Sequence, residues 1–473
     1  MPAFRGRGKT FGQHHASLLF VSRLVGADVI NEGLLTRAAL SNRKRMKTNF
    51  LSVKLQKAVH AGRGQEPNGK SWLMSDRPNG KSRLKSVALI CLIANLVSSC
   101  VFLNPSQTTS AGSKNNFRCV MINNQEPRRD VTGEIVDAHD GCLQFFEGRY
   151  FLYGTAYGNT AGFSINNRFR VYSSPDLEHW TFEGELLQAP PDGVYYRPYV
   201  VFNPQTRKYV LWYNWYPKLW DGQNGVATSD SPVGPFRIAN PNVQLSQSRQ
   251  HPGDGSLFVD SDGTGYFIYT VIDQNHSIRV EKLTRDYLGS AGVTSAVLAD
   301  GCESPVLFRR NQVYYALFDL CCCFCPAGSG ARVYTASSPL GPFTEQPNIN
   351  RAPAVGHGNP GNPTVAAQQT WVAKISTTNG MAFVWMGDRW GSRLDGIKGH
   401  DFQFWSAPLK FGSDGHILPI AKVTLWQASV QLGSHQPLPS ARYLWPKKKD
   451  PHPVTIEPCT GKPIPPEQID GLP

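Results

Sequence analysis

Residues 253–269, with the sequence GDGSLFVDSDGTGYFIY, place an acidic residue directly before a β-hairpin. After Asp254 the side chains alternate along one short strand, and the pair Asp262-Gly263 is typical of a tight turn. An aromatic strand at residues 266–269 completes the hairpin. This stretch decides the fold because the same arrangement, an acid that heads an apolar hairpin, occurs again in the chain.

Two further hairpins begin in this way. Asp140 precedes a strand at 142–146, a Glu-Gly turn and an aromatic strand at 150–153. Glu303 precedes a strand at 306–308 and, after a turn, a strand at 313–317. Three acids, each at the head of the same kind of hairpin, indicate a repeat whose first strands converge on one site.

The spacing of the repeat predicts an all-β fold, a five-bladed β-propeller. Inner strands are predicted to begin near residues 140, 197, 254, 303 and 362, and the outer-strand phrases SPVGPF (231–236) and SPLGPF (338–343) repeat as well. Units of roughly 50–60 residues with about four strands each are typical of propeller blades. A β-sandwich is the alternative, but it does not explain the repeated outer phrase.

The net charge of +13 belongs to the N-terminal arm. Residues 1–86 carry 17 basic and 4 acidic residues, whereas the rest of the chain carries 31 of each. The arm has no helical or strand period, so we predict a disordered basic segment. The neutral body gives no support for nucleic-acid binding.

Residues 87–103 (VALICLIANLVSSCVFL) contain no charge and follow three basic residues. This pattern predicts a signal-anchor or transmembrane segment with the N-terminus inside; a cleaved signal and a buried core helix are the alternatives. We therefore expect the body to enter the secretory pathway, either as a type II membrane protein facing the lumen or the extracellular side, or as a secreted protein. The membrane is then a partner through this segment.

Eight cysteines follow the apolar segment, and an even number in an extracellular setting predicts disulfides, whose pairing stays open. The run at 321–325 (CCCFC) lacks the paired Cys-x-x-Cys elements of a structural zinc site. We predict no metal site from the cysteines and no cofactor, and leave open a divalent ion such as calcium in the channel.

The predicted layout has five parts. The arm at 1–86 and the apolar segment at 87–103 are followed by a linker at 104–135, the propeller at 136–432, and a Pro-rich C-terminal tail at 433–473 that packs loosely or not at all. We expect a monomer.

The three acids predict glycoside hydrolysis. A propeller aims the starts of its inner strands at one end of the central channel, so Asp140, Asp254 and Glu303 should face one another across a pocket. One carboxyl can then donate a proton to the leaving oxygen and another can activate water, with roughly 6.5–9.5 Å between them in inverting enzymes. A third carboxylate raises the pKa of the donor and orients it.

The body resembles glycoside hydrolase family 43, whose members are five-bladed propeller enzymes that remove arabinose, xylose or galactose from plant polysaccharides. The first-blade pattern of the family matches residues 140–151, its Asp-Pro-Ser-Leu-Phe phrase resembles residues 254–258, and its Glu-Gly-Pro phrase resembles residues 303–305. The resemblance implies that Asp140 is the general base, Asp254 the pKa modulator and Glu303 the general acid.

Two further stretches resemble the branch with exo-β-1,3-galactanases, residues 137–139 (DAH) and 385–390 (WMGDRW). The chain departs from that branch at Tyr196, where the branch carries a glutamate before Arg-Pro, and at Asp140, where the branch usually lacks an acid. The further substrate-binding candidates are His139, Arg197, His357, Arg389 and Trp215.

The sequence therefore predicts an inverting, exo-acting glycosidase that cleaves O-glycosidic bonds of arabinose-, xylose- or galactose-containing polysaccharides. A catalytically inactive propeller that binds glycans in the manner of a lectin is the alternative from a different class. A sugar- or phosphate-transferring propeller is a third, but the body lacks a basic phosphate cradle.

Overall fold

The structure is a computed structural model that describes residues 116–160, 162–218, 221–247, 252–320, 324–350 and 363–434, with 438, 442–445, 455–456 and 463–464. The predicted arm, the apolar segment at 87–103, His357 and the cysteines at 321–323 and 459 lie outside these residues. The signal-anchor and the secretory location therefore stay predictions. Within the described ranges, no helix has the length and apolar character that crossing a membrane requires.

Five antiparallel sheets, four of them four-stranded, form the blades. Among the described residues β1 (Phe117–Asn123) comes first, and blade one follows with β2 (His139–Phe146), β3 (Arg149–Ala156), β4 (Arg168–Ser174) and β5 (Thr181–Glu185). Blade two contains β6 (Val194–Asn203), β7 (Lys208–Tyr216), β8 (Gln223–Ser229) and β9 (Arg237–Asn240), and blade three contains β10 (Pro252–Val259), β11 (Gly265–Val271), β12 (Ser277–Leu283) and β13 (Ser290–Thr294). Blade four contains β14 (Cys302–Arg310), β15 (Val313–Leu320), β16 (Arg332–Ala336) and β17 (Thr344–Gln346), and blade five contains β18 (Gln368–Thr377), β19 (Gly380–Arg389), β20 (Phe402–Trp405) and β21 (Leu425–Gln431). A two-stranded ribbon of β22 (Thr455–Ile456) and β23 (Pro463–Ile464) follows. Two short 3-10 helices, Ile272–Gln274 and Lys398–His400, interrupt the strands. The five-bladed propeller prediction is confirmed.

The inner strands of the blades line the centre of the molecule. Strand β2 packs against both β6 and β18, and β10 packs against both β6 and β14. Aromatic and β-branched side chains fill the space between the blades, with Trp212 and Trp385 fully buried. These residue types favour pleated strands that pack on both faces, which explains why the strands read as nearly continuous apolar runs.

Every inner strand has a register irregularity near its start. The shifts fall between His139 and Cys142, Tyr196 and Tyr199, Pro252 and Gly255, Glu303 and Val306, and Gln369 and Trp371. Bulges leave residues outside the ladder and change the direction of their side chains. Three bulge residues have the left-handed conformation, with φ of +47° at Asp140, +58° at Arg197 and +54° at Ser304.

The ends of the propeller are joined through the fifth sheet. Strand β1 pairs antiparallel with β21, so the first and last strands of the body lie side by side. Buried Asn124 accepts a hydrogen bond from the N–H of Trp405 (2.9 Å) and donates to its carbonyl (2.8 Å). On the other side, the Arg118 guanidinium pairs with Asp176 of blade one at 2.6 Å. The pair of strands β1 and β21 therefore connects blade five to blade one and closes the ring.

Two boundaries predicted from the sequence are wrong. Residues 117–123 form β1, a strand of the fifth sheet, although the sequence pattern suggested a linker at 104–135. In the predicted loose tail, Trp445 is buried, its N–H donates to Glu185 at 2.6 Å, and its ring packs on Tyr195 at 5.0 Å. Both segments find partners in blades that are distant in sequence, which local periodicity does not report.

Candidate active site

The residues at the bulges of the inner strands meet at one end of the propeller. Asp140 heads β2, Arg197 lies in β6, Asp254 in β10 and Glu303 in β14. Arg197 connects them: its backbone N–H donates to Asp140 at 3.3 Å and its guanidinium lies 3.0 Å from Asp254. The predicted convergence of Asp140 and Asp254 is therefore present in the structure.

Asp140 is buried but well supplied with hydrogen-bond donors. The hydroxyl of Thr155 donates to one carboxylate oxygen and the hydroxyl of Tyr157 to the other, each at 2.6 Å. Burial raises the pKa of Asp140 to about 6, although the charge of Arg197 and both hydroxyls act in the opposite direction. A carboxyl with this pKa is ionised at neutral pH and can take up a proton.

Asp254 is held on one oxygen by three donors. Besides Arg197, the backbone N–H of Ser304 donates to it at 3.1 Å and the Ser304 hydroxyl at 3.2 Å. Arg197 also donates to the Ser304 hydroxyl, and its pKa is raised well above its usual value by Asp254 and the other acids despite its burial. The Asp254 carboxyl is therefore held by donors from blades two and four, next to the strand that carries Glu303.

Glu303 keeps part of its side chain accessible. Its carboxylate accepts a hydrogen bond from the Gln368 side chain at 2.9 Å, and Gln368 is itself held by the Trp390 indole at 2.7 Å. Gln368 begins the inner strand of blade five. Glu303 is thus positioned by a neighbouring blade.

The structure adds Asp319, which the sequence analysis did not select. Asp319 lies in β15 directly opposite Glu303 and has no exposed surface. It accepts hydrogen bonds from the Ser329 hydroxyl and from the N–H of Gln369, the latter at 2.9 Å. Its signal in the sequence is a single charged residue in the otherwise apolar strand VYYALFDL.

His139 lies behind Asp140 and has no free surface for a sugar, because it is buried. One ring nitrogen lies 3.1 Å from Asp388, whose other oxygen accepts the backbone N–H of Asp140 at 2.7 Å. Burial lowers the pKa of His139, but the hydrogen bond and charge of Asp388, with help from Asp137 and Asp140, raise it to about 9. His139 therefore carries a positive charge at neutral pH and supports Asp140 through Asp388.

Two of the predicted sugar-binding residues lie elsewhere. The indole of Trp215 donates to the carbonyl of Pro241 at 2.6 Å, and its ring is stacked on Tyr195, so it is packed within blade two and presents no face to a ligand. The guanidinium of Arg389 lies over the ring of Phe402, 5.1 Å from its centre, and not beside the carboxylates. Both corrections follow from the alternation of side chains along a strand, which turns neighbouring residues to opposite faces.

The predicted disulfides are wrong for two cysteines. Cys142 and Cys302 are buried thiols, and burial raises the pKa of each to about 12. In the described part of the chain, the one cluster with metal-ligand spacing is Asp176, Glu178 and His179 in blade one. Arg118 already pairs with both of its carboxylates, at 2.6 and 3.2 Å, so a cation would meet a guanidinium there.

A polar cavity of about 500 Å³ adjoins the site on the blade-one side. Tyr157, whose hydroxyl donates to Asp140, lines it together with Asp137. Its charged walls also include Arg129, Glu134, Arg168, Arg170 and His400. The cavity therefore offers basic and acidic side chains and shares Tyr157 with the site, but Asp140, Asp254 and Glu303 do not line it.

The sequence matches the model of a known protein family. A sequence model named glycosyl hydrolases family 43 matches residues 136–380. The chain belongs to this glycosidase family. The match covers blades one to four and β18, which contain Asp140, Asp254 and Glu303, so the resemblance to family 43 is confirmed.

The alignments with individual relatives cover only part of each protein. The chain is 27% identical over 283 residues to an arabinoxylan arabinofuranohydrolase of Bacillus subtilis (strain 168), which covers 47% of this chain and 52% of the relative. For the arabinoxylan arabinofuranohydrolase of Paenibacillus polymyxa the identity is 26%, over 42% of this chain and 36% of the relative. The chain thus spans about half of the first relative and about a third of the second.

Solved structures share the fold. An exo-β-1,3-galactanase from Clostridium thermocellum is similar with a TM-score of 0.56 and 25% identity, over 66% of this chain and 67% of that one. A family 43 β-1,3-galactosidase with galactodeoxynojirimycin has a TM-score of 0.56 and 24% identity, over 64% of this chain and 99% of that one. The second likeness concerns the fold alone.

Proposed function

We propose that this protein is an inverting, exo-acting glycosidase that removes arabinose, xylose or galactose units from a polysaccharide. The observation that carries the proposal is the position of Arg197, which holds Asp140 through its backbone and Asp254 through its guanidinium. Its guanidinium also donates to the hydroxyl of Ser304, the residue that follows Glu303. One buried cation therefore holds the acids of blades one and three next to the strand of blade four that carries Glu303.

In the proposed reaction Asp140 is the general base and Glu303 the general acid. Water attacks the anomeric carbon and transfers a proton to Asp140, while the glycosidic C–O bond breaks and Glu303 gives its proton to the leaving oxygen. Asp254 supplies the negative charge that favours the protonated donor. The partial exposure of Glu303 and the burial of Asp140 suit a donor at the open side and a base at the closed end of a pocket.

The sugar is proposed from the relatives and not from the geometry. The curated relatives are named for arabinoxylan and the similar structures for β-1,3-linked galactose, so arabinofuranose and galactose are the first candidates. Exo-action is proposed because Asp140 is buried and Glu303 is only partly accessible, and a recessed site of this kind admits a chain end more readily than the middle of a chain.

The proposal is tested with 4-nitrophenyl arabinofuranoside, xyloside and galactoside and with galactan oligosaccharides, using the full chain. We expect turnover of at least one substrate and a loss of roughly 10²-fold or more in Glu303→Gln, because general acid catalysis contributes about 10²–10⁴-fold. Glu345→Gln is the matched control: Glu345 lies on the outer strand β17 and pairs with Arg332, so its variant should keep wild-type turnover.

A glycan-binding propeller without catalysis is the second candidate. It is favoured by the burial of Asp140, whose two oxygens already accept hydrogen bonds from Thr155 and Tyr157. It is favoured also by Tyr196, which is buried against Tyr216 in place of an acid. Binding of galactan or arabinoxylan oligosaccharides by calorimetry, with no product from any member of the panel, would replace the glycosidase proposal with this one.

A further inference from the structure

Glu303 has a second carboxyl beside it. The register of β14 and β15 places Glu303 directly opposite Asp319, and opposed residues of an antiparallel pair have Cβ atoms roughly 4.5–5.5 Å apart. Asp319 has no exposed surface, whereas Glu303 is partly accessible. The two carboxyls therefore form a pair with one buried and one accessible member.

The acids of the site differ in the donors that reach their oxygens. Asp140 and Asp254 each accept several hydrogen bonds, as described above. At Asp319 both donors, the Ser329 hydroxyl and the Gln369 N–H, reach Oδ2. Its Oδ1 is buried and has no hydrogen-bond partner within the described part of the chain. An ionised carboxylate with such an oxygen is costly to bury, so a proton on Oδ1 lowers the free energy of the folded state.

The surrounding charges also favour a proton at this pair. Arg197 interacts with Asp140, Asp254 and Asp319 together, so one guanidinium faces several acids. Burial, and then repulsion from Glu303, raise the pKa of Asp319 well above its usual range, against the effects of Ser329, Arg197 and Gln369. Among the described residues, the other titratable or charged groups nearby are Cys302 on β14 and Arg332 on β16, which donates to the Cys302 sulfur at 3.4 Å.

We propose that Asp319 is a positioning residue that shares one proton with Glu303 and so keeps Glu303 able to donate at higher pH. The inference deepens the proposed function, on which it rests, because it assigns the donated proton to two carboxyls instead of one. Interacting carboxyls lose their protons in two steps that belong to the pair. The second proton is retained to higher pH because its loss places two negative charges side by side. In each turnover it passes from Glu303 to the leaving oxygen and is replaced from water.

The test compares the pH dependence of kcat/KM in the wild type and Asp319→Asn. Asparagine keeps an oxygen that accepts from Ser329 and Gln369 but it cannot ionise. We expect the basic limb of the profile to move to lower pH by about one unit or more, with the acid limb unchanged. Ser329→Ala removes a donor from Asp319 and should move the basic limb to higher pH.

Asp260→Asn is the matched control. Asp260 is also poorly exposed, but it follows β10 and pairs with Arg309 at 2.7 Å, away from Glu303 in sequence and in contacts. Its variant should keep both limbs of the wild-type profile. A shift of the same size in Asp260→Asn would show that loss of any buried carboxylate moves the profile, and would overturn the inference.

A measurement without turnover separates this inference from the proposed function. The carboxyl carbon of Glu303, assigned by its absence in Glu303→Gln, is titrated by ¹³C NMR in the wild type and in Asp319→Asn. A titration that moves to lower pH in Asp319→Asn, in a protein without turnover, supports the pair and contradicts the glycosidase. An unmoved titration and an unmoved basic limb overturn the inference. If Asp319→Asn does not fold, Ser329→Ala provides the test. The inference is overturned if neither the basic limb of kcat/KM nor the titration of Glu303 moves to higher pH in Ser329→Ala.

Discussion

At the scale of single residues, the site depends on how donors are distributed over buried acids. Asp140 receives two hydroxyl donors and a backbone N–H, and burial still raises its pKa to about 6. A general base must be ionised to act, so kcat/KM should fall as the pH decreases through about 6. Activity is retained above this pH because Asp140 has lost its proton there.

The Thr155 hydroxyl donates to the Asp140 carboxylate and so stabilises its ionised form. In Thr155→Val the hydroxyl that stabilises the ionised Asp140 is lost with little change in shape, so we expect the acid limb of kcat/KM to move to higher pH. Thr335→Val, on β16, the third strand of blade four, is the control and should leave the limb in place. An acid limb near pH 4 in the wild type, or an unmoved limb in Thr155→Val, would contradict the assignment of Asp140 as the base.

At the scale of elements, the segment at residues 442–445 acts as a support for blades one and two. The ring of Trp445 packs on Tyr195 and under the guanidinium of Arg168, 4.6 Å from its centre. The backbone N–H of Trp445 donates to the Glu185 carboxylate, and the backbone N–H of Glu185 donates to the carbonyl of Tyr443 at 2.8 Å. The segment thus adds hydrogen bonds and buried apolar area to an otherwise exposed sheet edge.

Removal of this ring should cost about 3 kcal/mol of unfolding free energy in Trp445→Ala, the lower end of the range for a buried aromatic side chain. The neighbouring Leu444 is 59% exposed, so Leu444→Ala should change the stability by less than about 0.5 kcal/mol. Chemical denaturation at equilibrium measures both. Equal effects of the two variants would mean that the segment does not pack as described.

At the scale of the whole molecule, a propeller is stable only when its ring is closed. The ribbon of β1 and β21 closes it, with Asn124 bonded to both backbone groups of Trp405 in blade five. These contacts of β1, β21 and Asn124, here called the clasp, join residues almost 300 positions apart. Loss of the clasp should therefore destabilise the whole ring and not one blade alone.

We therefore expect Asn124→Ala to lower the unfolding free energy by about 3 kcal/mol, since it leaves buried backbone groups of Trp405 and Val423 without a partner. The neighbouring Asn123, which bonds to nearby Glu126 and the backbone of Gln125, gives the control Asn123→Ala, with a change of less than about 1 kcal/mol. Thermal unfolding should stay a single transition at lower temperature. A separate early transition would show that the clasp stabilises only its own sheet.

Local patterns in the sequence were enough to predict the number of blades, the hairpins and the acids that head three inner strands. Alternating apolar residues and turn pairs such as Asp262-Gly263 act over a few positions, so they can be recognised without a structure. The family phrases around Asp140, Asp254 and Glu303 lie in the same local units and were recognisable for the same reason.

The contacts between side chains of different blades could be read from the folded structure but not from the sequence. Arg197 joins Asp140 to Asp254, and Asp319 lies beside Glu303 under a strand of the next blade. Trp215, one of the predicted sugar contacts, lies inside a blade instead. The period of a strand fixes alternation but not which of its two faces points to the channel, and bulges at the strand starts change that direction. Contacts between blades and burial are long-range properties, and they set the protonation of the acids on which the proposed function depends.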